Sequence, residues 1–295
     1  MPQLSDHDLM KNIVITSPAK LNLSLNLLPR RGEKGYFNVL FLNTQVTLAD
    51  TVRISKTGGK TVRINEKEID SASNIAYRAA LLMFDRYDLG CGVFVDIEKN
   101  IPLRAGLGGG SSDAASVING IDLLFGLDLT REEKLSLARQ LGMDVCYCVI
   151  GGLCRIEGIG DVVQRVESKL PAIDILIATP RQRKPSTAWA YSIVDERRIG
   201  RETERFDLLL ESIAHQDTEA VARNLHNDFE RPVAAHYPFV ETLKSEMNRQ
   251  GARATLLAGS GLSVFGIFET AEAVLRAAKA LESPHLMCFP ARTIS

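Results

Sequence analysis

Hydrophobic and polar positions alternate over residues 20–27 of KLNLSLNLL (20–28), with Leu21, Leu23, Leu25 and Leu27 on one side and Lys20, Asn22, Ser24 and Asn26 on the other. A period of two predicts a strand with one apolar and one polar face. TVRISKTGGKTVRIN, residues 51–65, reads as two Val/Ile-containing runs joined across Thr57, Gly58, Gly59 and Lys60, the pattern of a hairpin. VFVDIE, residues 93–98, predicts a further strand. From Ser111 the period lengthens, and Ala114, Val117, Ile118, Ile121 and Leu124 fall on one face of a helix. Thr130 and Glu133 have capping-box spacing ahead of a second helix carrying Leu135, Ala138 and Leu141. AIDILIATP (172–180) reads as a buried strand, residues 205–250 as mostly helical, and LLAGSGLSVFGIF (256–268) as a strand, a Gly-Ser-Gly turn and a strand. No repeat or low-complexity linker interrupts the chain, and the change of character near residues 160–180 marks the expected domain boundary.

Composition narrows the classes of function. The chain has 295 residues, 45% of them apolar and 24% charged, enough for one large or two medium cores. Thirty-five Lys and Arg against 36 Asp and Glu, with no long run of one sign, argue against nucleic acid or an acidic membrane surface as partner. The opening MPQLSDHDLMKN lacks the layout of a signal peptide, and no apolar run reaches the roughly 18 to 20 residues of a spanning helix, so a cytoplasmic protein is expected. Cys91, Cys146, Cys148, Cys154 and Cys288 are odd in number and lack a spacing framework, which predicts reduced, packed thiols rather than disulfides or a zinc site.

Candidate chemistry concentrates in IPLRAGLGGGSSDAASV, residues 101–117. Glycines let backbone amides approach a ligand, and a helix N-terminus adds unpaired N–H groups and positive potential, so this stretch predicts a phosphate cradle. Ser111 and Ser112 add hydroxyls, and Asp113 a carboxylate. The stretch has no lysine where a P-loop needs one, and it lacks the spacing of a dinucleotide fingerprint.

PLRAGLGGGSSDAAS resembles the central phosphate-binding motif of the GHMP kinases, and SPAKLNLSL and LLAGSGLSVFG stand where that family has its other two motifs. PAKLNLSLNLLPRRGEKGY, LGMDV, EGIGD, PSTAWAY and HNDFE resemble, in order, segments of the branch that phosphorylates 4-diphosphocytidyl-2-C-methyl-D-erythritol in non-mevalonate isoprenoid synthesis. The resemblance implies an α+β fold of two domains. Residues 1–165 would form an N-terminal α/β domain like ribosomal S5 domain 2, and residues 166–295 a C-terminal ferredoxin-like domain. It implies ATP and Mg²⁺ as cofactors and a small alcohol as acceptor, and leaves the metal ligands and the oligomeric state open. By resemblance Lys20 and Asp144 are the catalytic pair, the carboxylate serving the acceptor hydroxyl and the lysine holding it ionised. ATP is expected on Pro102, Ala105, Gly106, Leu107, Gly108, Gly109, Gly110, Ser111 and Ser112, with Asn74 and Lys99 near the nucleotide. Asn22, Tyr36, Phe37, Tyr191, Gly259, Ser260 and Gly261 are expected on the acceptor, and His226 in a structural hydrogen bond.

Two positions depart from the branch. In its pattern, two aromatic rings sandwich cytosine, here Tyr36 and Tyr191, and a histidine after the first ring reads the base edge. Phe37 stands at that position and has no edge donor or acceptor. Asn38, one residue along an extended segment, would face the opposite side. After Asp144 and Val145 the branch usually has proline, where this chain has Cys146, Tyr147 and Cys148. Two further readings therefore stay open: a GHMP kinase acting on a different small alcohol, and a non-catalytic descendant that binds nucleotide or metabolite. Retention of Lys20, Asp144 and the whole glycine loop argues against the latter.

Overall fold

The computed structural model describes residues 11–30, 36–65 and 73–294, which form two compact units of mixed α and β structure. Gly35 and the other residues of 31–35 lie outside the described part. The units are not successive halves of the chain divided at residue 165. One gathers residues up to Ala19, Ala49–Ile101 and Gly108–Ile150, and the other Lys20–Leu48, Pro102–Leu107 and residues from Gly151 onward. Two long strands, β1 (Asn12–Arg30) and β2 (Phe37–Thr57), pair with each other, and each contributes to both units.

In the first unit, β3 (Val62–Asn65), helix α1 (Ile75–Arg86) and β4 (Gly92–Glu98) follow. The expected hairpin over 51–65 does not form. β2 runs antiparallel to β4, from Thr51 opposite Glu98 to Thr57 opposite Gly92, and β3 lies parallel on the far side of β4. The Thr-Gly-Gly-Lys linker leaves a strand's width between its two runs. Val93, Val95 and Ile97 of β4 fill it with buried side chains. Helix α2 (Gly109–Phe125) buries Ala114, Val117, Ile118, Ile121 and Leu124, as its period predicts. Each of the larger side chains contributes about 1.5–3 kcal/mol of burial. Thr130 caps α3 (Arg131–Leu141) with a complete capping box, its hydroxyl accepting from the Glu133 amide while the Glu133 carboxylate accepts from the Thr130 amide at 2.8 Å. Helix α4 (Met143–Ile150) buries Val145, Cys146, Tyr147 and Cys148, so these two thiols pack in the core.

The second unit adds β5 (Cys154–Glu157), β6 (Val162–Arg165) and β7 (Asp174–Pro180), then helices α5 (Thr187–Ser192), α6 (Thr203–Ala214) and α7 (Thr218–Arg223). After the short β8 (His226–Asn227) come α8 (Glu230–His236), α9 (Phe239–Arg249), β9 (Ala254–Leu257), β10 (Val264–Phe268), α10 (Ala271–Leu281) and β11 (Leu286–Ile294). Strand order here is β2-β11-β7-β10-β9, antiparallel throughout, and β8 joins β1 in parallel. Ile175, Leu176, Ile177 and Ala178 of β7 are buried on both faces.

The segment 20–27 of β1 also departs from its expected amphipathic form. Lys20, Asn22, Ser24 and Asn26 are as buried as the leucines between them. Their polar groups bond one another. Lys20 Nζ donates to Asn22 Oδ1 at 2.9 Å, Asn22 Nδ2 to Asn43 Oδ1 at 2.6 Å, and Asn26 Nδ2 to Ser24 Oγ at 2.9 Å. Most of this polar face is satisfied inside the protein rather than by bulk water, though Asn26 Oδ1 and Asn43 Nδ2 are buried without a hydrogen-bond partner.

Candidate active site

The first unit holds the second half of the glycine stretch. Gly108 caps α2 with no side-chain hydrogen bond, so the amides of the first turn are left for an anion. Ser112 is locked in place, its hydroxyl donating to the Pro18 carbonyl at 2.7 Å and accepting from Ser17 Oγ at 2.9 Å. Ser111, half-buried on the same turn, keeps its hydroxyl outside that network.

Beneath the loop lies a buried charge cluster. Lys99 pairs with Asp50 and, at 2.6 Å, with Asp113. Asp50 also accepts the amides of Asn100 at 2.6 Å and Ile101 at 2.7 Å, which fixes the backbone as it enters the glycine stretch. Burial pushes the Asp113 carboxyl up to about 7, with Lys99 opposing and Asp50 adding to the rise. For Lys99, burial acts downward, but the two carboxylates outweigh it and raise its pKa. The Lys99 ammonium, expected near the nucleotide, is thus committed to two carboxylates. Asn74, expected there too, caps α1 by accepting from the amides of Ala76 at 2.9 Å and Tyr77 at 3.3 Å. Asp144 is exposed on the first turn of α4.

The second unit brings together three segments that are far apart in sequence. The Lys20 amide donates to the Leu107 carbonyl at 2.9 Å, placing the lysine beside the loop Pro102–Leu107. That loop touches residues 258–261 backbone to backbone. Gly106 has φ +85°, and a Cβ there would lie 2.1 Å from the Ala258 carbonyl oxygen. A Cβ on Gly261 would lie 2.4 Å from the Ala105 carbonyl oxygen. Only glycine permits this approach. Gly259 faces Asn22 and Lys20, its ideal Cβ position lying 3.4 Å from Asn22 Oδ1 and from Lys20 Nζ. Asn227, buried, holds the same turn by donating its amide to the Leu257 and Gly259 carbonyls, both at 2.8 Å. Lys20, Asn22, Gly106, Gly259, Ser260 and Gly261, chosen from sequence as site residues, therefore form one cluster.

Aromatic residues gather on the same unit. The ring stacked on Tyr191 is that of Phe37, with centroids 5.9 Å apart and planes at 25°. Phe229 meets the Tyr191 ring edge-on at 4.9 Å. Tyr36 is 60% exposed, so its ring is available to an incoming ligand. Asn38 donates its amide to the Pro29 carbonyl at 3.2 Å and takes no part in this stack. His226 bonds Asp228 at 2.9 Å, and Asp228 accepts the Leu27 amide at 2.7 Å, the structural role expected of this histidine.

Comparison with known proteins agrees with this arrangement. The GHMP kinase N-terminal domain model matches residues 74–152 and the C-terminal model residues 209–284. The chain is 36% identical to a 4-diphosphocytidyl-2-C-methyl-D-erythritol kinase of Acetivibrio thermocellus, covering 97% of this chain and 100% of the relative. The chain belongs to the GHMP kinases. A Synechococcus kinase of the same name is 38% identical, covering 93% of this chain and 90% of its own. A crystal structure of 4-(cytidine 5'-diphospho)-2C-methyl-D-erythritol kinase superposes with a TM-score of 0.83 at 29% identity, covering 96% of this chain and 100% of the other. Homoserine kinase from Cytophaga hutchinsonii shares the fold at 19% identity, TM-score 0.75, over 99% of this chain and 97% of its own.

The two units therefore constitute the two-domain GHMP kinase fold, and this kinase carries the glycine stretch and Asp144 within its matched N-terminal region. The residues fit a hard divalent cation of the kind that accompanies ATP, with one restriction. Asp113 is held by Lys99, Ser112 by Ser17 and Pro18, and no group of three His, Cys, Asp or Glu side chains suited to a metal occurs among the described residues. The Ser111 hydroxyl, Asp113 Oδ1, which has no hydrogen-bond partner, and the nucleotide's phosphate oxygens would hold it. Mg²⁺, which retains several waters and binds through phosphates, suits so sparse a set. No described helix is long and apolar enough to cross a membrane. Reading the sequence missed Asp50, Asn43 and Asn227, buried polar residues whose significance depends on partners tens of positions away. It also missed Lys184, buried and bonded through Nζ to Ser260 Oγ at 2.8 Å.

Proposed function

We propose that this GHMP kinase transfers the terminal phosphoryl group of ATP to the hydroxyl of 4-diphosphocytidyl-2-C-methyl-D-erythritol. The observation that carries the reading is the 36% identity, across essentially the whole chain, to a kinase named for that substrate. Phosphoryl transfer depends mainly on positioning and on neutralising charge. The first-turn amides of α2, with the Ser111 hydroxyl, bind the ATP phosphates, while Ser112, bonded to Pro18 and Ser17, holds that turn in place. Bound Mg²⁺ neutralises phosphate charge. Asp144 accepts the proton of the acceptor hydroxyl, and Lys20, positioned through Asn22 and Leu107, supplies positive charge at the acceptor. Tyr36 and Tyr191 hold the base by stacking, and Asn22 with the Gly259–Gly261 turn contacts the rest of the acceptor. The reaction fits a cytoplasmic setting where ATP is abundant.

Phe37 favours a second reading, in which the acceptor is another small alcohol, because its ring offers the base edge no hydrogen bond. Both readings are tested by ADP release from purified protein with ATP, Mg²⁺ and either the cytidyl compound or a panel of small alcohols. The first expects efficient turnover of the cytidyl compound, and Asp144→Asn should lower kcat by about 10²- to 10⁴-fold with the fold intact by circular dichroism. Turnover confined to another alcohol would establish the second reading. Near-full activity of Asp144→Asn would remove that carboxylate from the chemistry.

A further inference from the structure

Lys184 follows the end of β7 and precedes α5, in a stretch no motif explains. The residue is only 6% exposed, yet its one side-chain hydrogen-bond partner among the described residues is the neutral hydroxyl of Ser260. The charged group that bears on it is a second cation, Lys20. Burial, reinforced by Lys20, pushes the Lys184 pKa down to about 8. Two ammonium groups thus converge on the turn 258–261, Lys184 through Ser260 and Lys20 beside Gly259. A buried cation without a countercharge is costly, and a lysine kept for structure alone is normally met by a carboxylate or several carbonyls.

We infer that Lys184, with Lys20 and the Ser260 hydroxyl, forms an oxyanion subsite that binds the diphosphate of the acceptor. Phosphoryl oxygens are the shared chemistry of acceptor and ATP, and position favours the acceptor. Lys184 lies seven residues before Tyr191 on the same segment, and a diphosphate linking base to alcohol must pass between the ring that stacks the base and the lysine that serves the hydroxyl. The inference rests on the cytidyl-acceptor reading for the identity of the anion, but not for the existence of the subsite.

The test pairs kinetics with direct binding. Lys184→Met and Lys184→Gln should each raise KM for the cytidyl compound tenfold or more, with KM for ATP within twofold, and Lys184→Arg should recover most of the loss. Calorimetric titration of inorganic diphosphate, with Mg²⁺ and a saturating non-hydrolysable ATP analogue filling the nucleotide site, should show the same tenfold weakening. Affinity of the wild type should fall as pH rises through about 8, where Lys184 loses its proton, and the Met variant should lack that inflection. Diphosphate binding that is absent in the wild type, or equal in wild type and both neutral variants, overturns the subsite. A rise in KM for ATP matching that for the acceptor overturns the assignment to the acceptor. Lys184-dependent diphosphate binding without turnover of the cytidyl compound upholds the subsite and removes the proposed function instead.

Discussion

At the scale of single residues, a desolvated ammonium leaves a signature on stability as well as on binding. Lys184 is held at about 8 in the folded chain, below the 10.5 of an ordinary lysine. Below pH 8 both states carry the charge and the folded state bears the full desolvation cost. Between pH 8 and 10.5 the unfolded chain holds a proton the folded chain has released, so stability rises with pH. Lys184→Met should therefore melt a few degrees above the wild type at pH 7, and the gap should close by about pH 10.5 in calorimetric scans; a gap independent of pH would rule out this origin. Phe37 lends itself to the opposite manipulation. Phe37→His supplies an edge donor beside Tyr191 and should raise selectivity for the cytidyl acceptor over one lacking the base by about tenfold, the worth of one hydrogen bond. Unchanged selectivity would place base recognition in the backbone. Lys20, Asn22 and Gly106 were legible from sequence because their motifs are contiguous. Lys184 was not, since a lone lysine before Pro185 has meaning only once Ser260 and Lys20 stand beside it.

At the scale of elements, periodicity and capping chemistry identified α2, α3, β4, β7 and the strand-turn-strand of β9 and β10, because each depends on residues a few positions apart. Pairing was less legible. β3 was expected against β2, but β4, arriving some 30 residues later, lies between them. Nothing in a Gly-Gly linker reveals a strand that has yet to be made. The alternation in β1 marked a strand correctly, while the fate of its polar face depended on Asn43 of β2 and on the segments that bury it. The contact between the loops 102–107 and 258–261 admits a severe test. Gly106→Ala places a methyl group 2.1 Å from a backbone oxygen at φ +85°, so this loop must move. A loss of about 3 kcal/mol or more, roughly 6 to 12 °C in Tm, is expected, with activity falling further than the bulk fold. A variant with wild-type Tm and kcat would show the loop to be far more pliant than its packing implies.

At the scale of the whole molecule, the two units share β1 and β2, and the second draws on both halves of the chain. Residues 20–48 lie in a unit whose other strands come almost entirely from beyond residue 150, with β2 meeting β11 at Val46 opposite Thr293. A fragment ending at residue 165 leaves Val46 and Gln45 without β11 and Ser24 and Leu25 without β8. It should show no cooperative thermal transition by circular dichroism, whereas the full chain should. A sharp, reversible melt of the fragment would contradict the sharing of strands. The sequence by itself determined the kind of elements, the place of the glycine stretch at the start of a helix, and membership of a kinase family, because these rest on short-range periodicity and contiguous motifs. Tertiary structure alone decided that Lys99 pairs with Asp50 and Asp113, that Phe37 lies on Tyr191, and that Lys184 joins Lys20 at one turn. These facts depend on burial and on charges brought together from distant positions, where desolvation and long-range pairing set what each group can do.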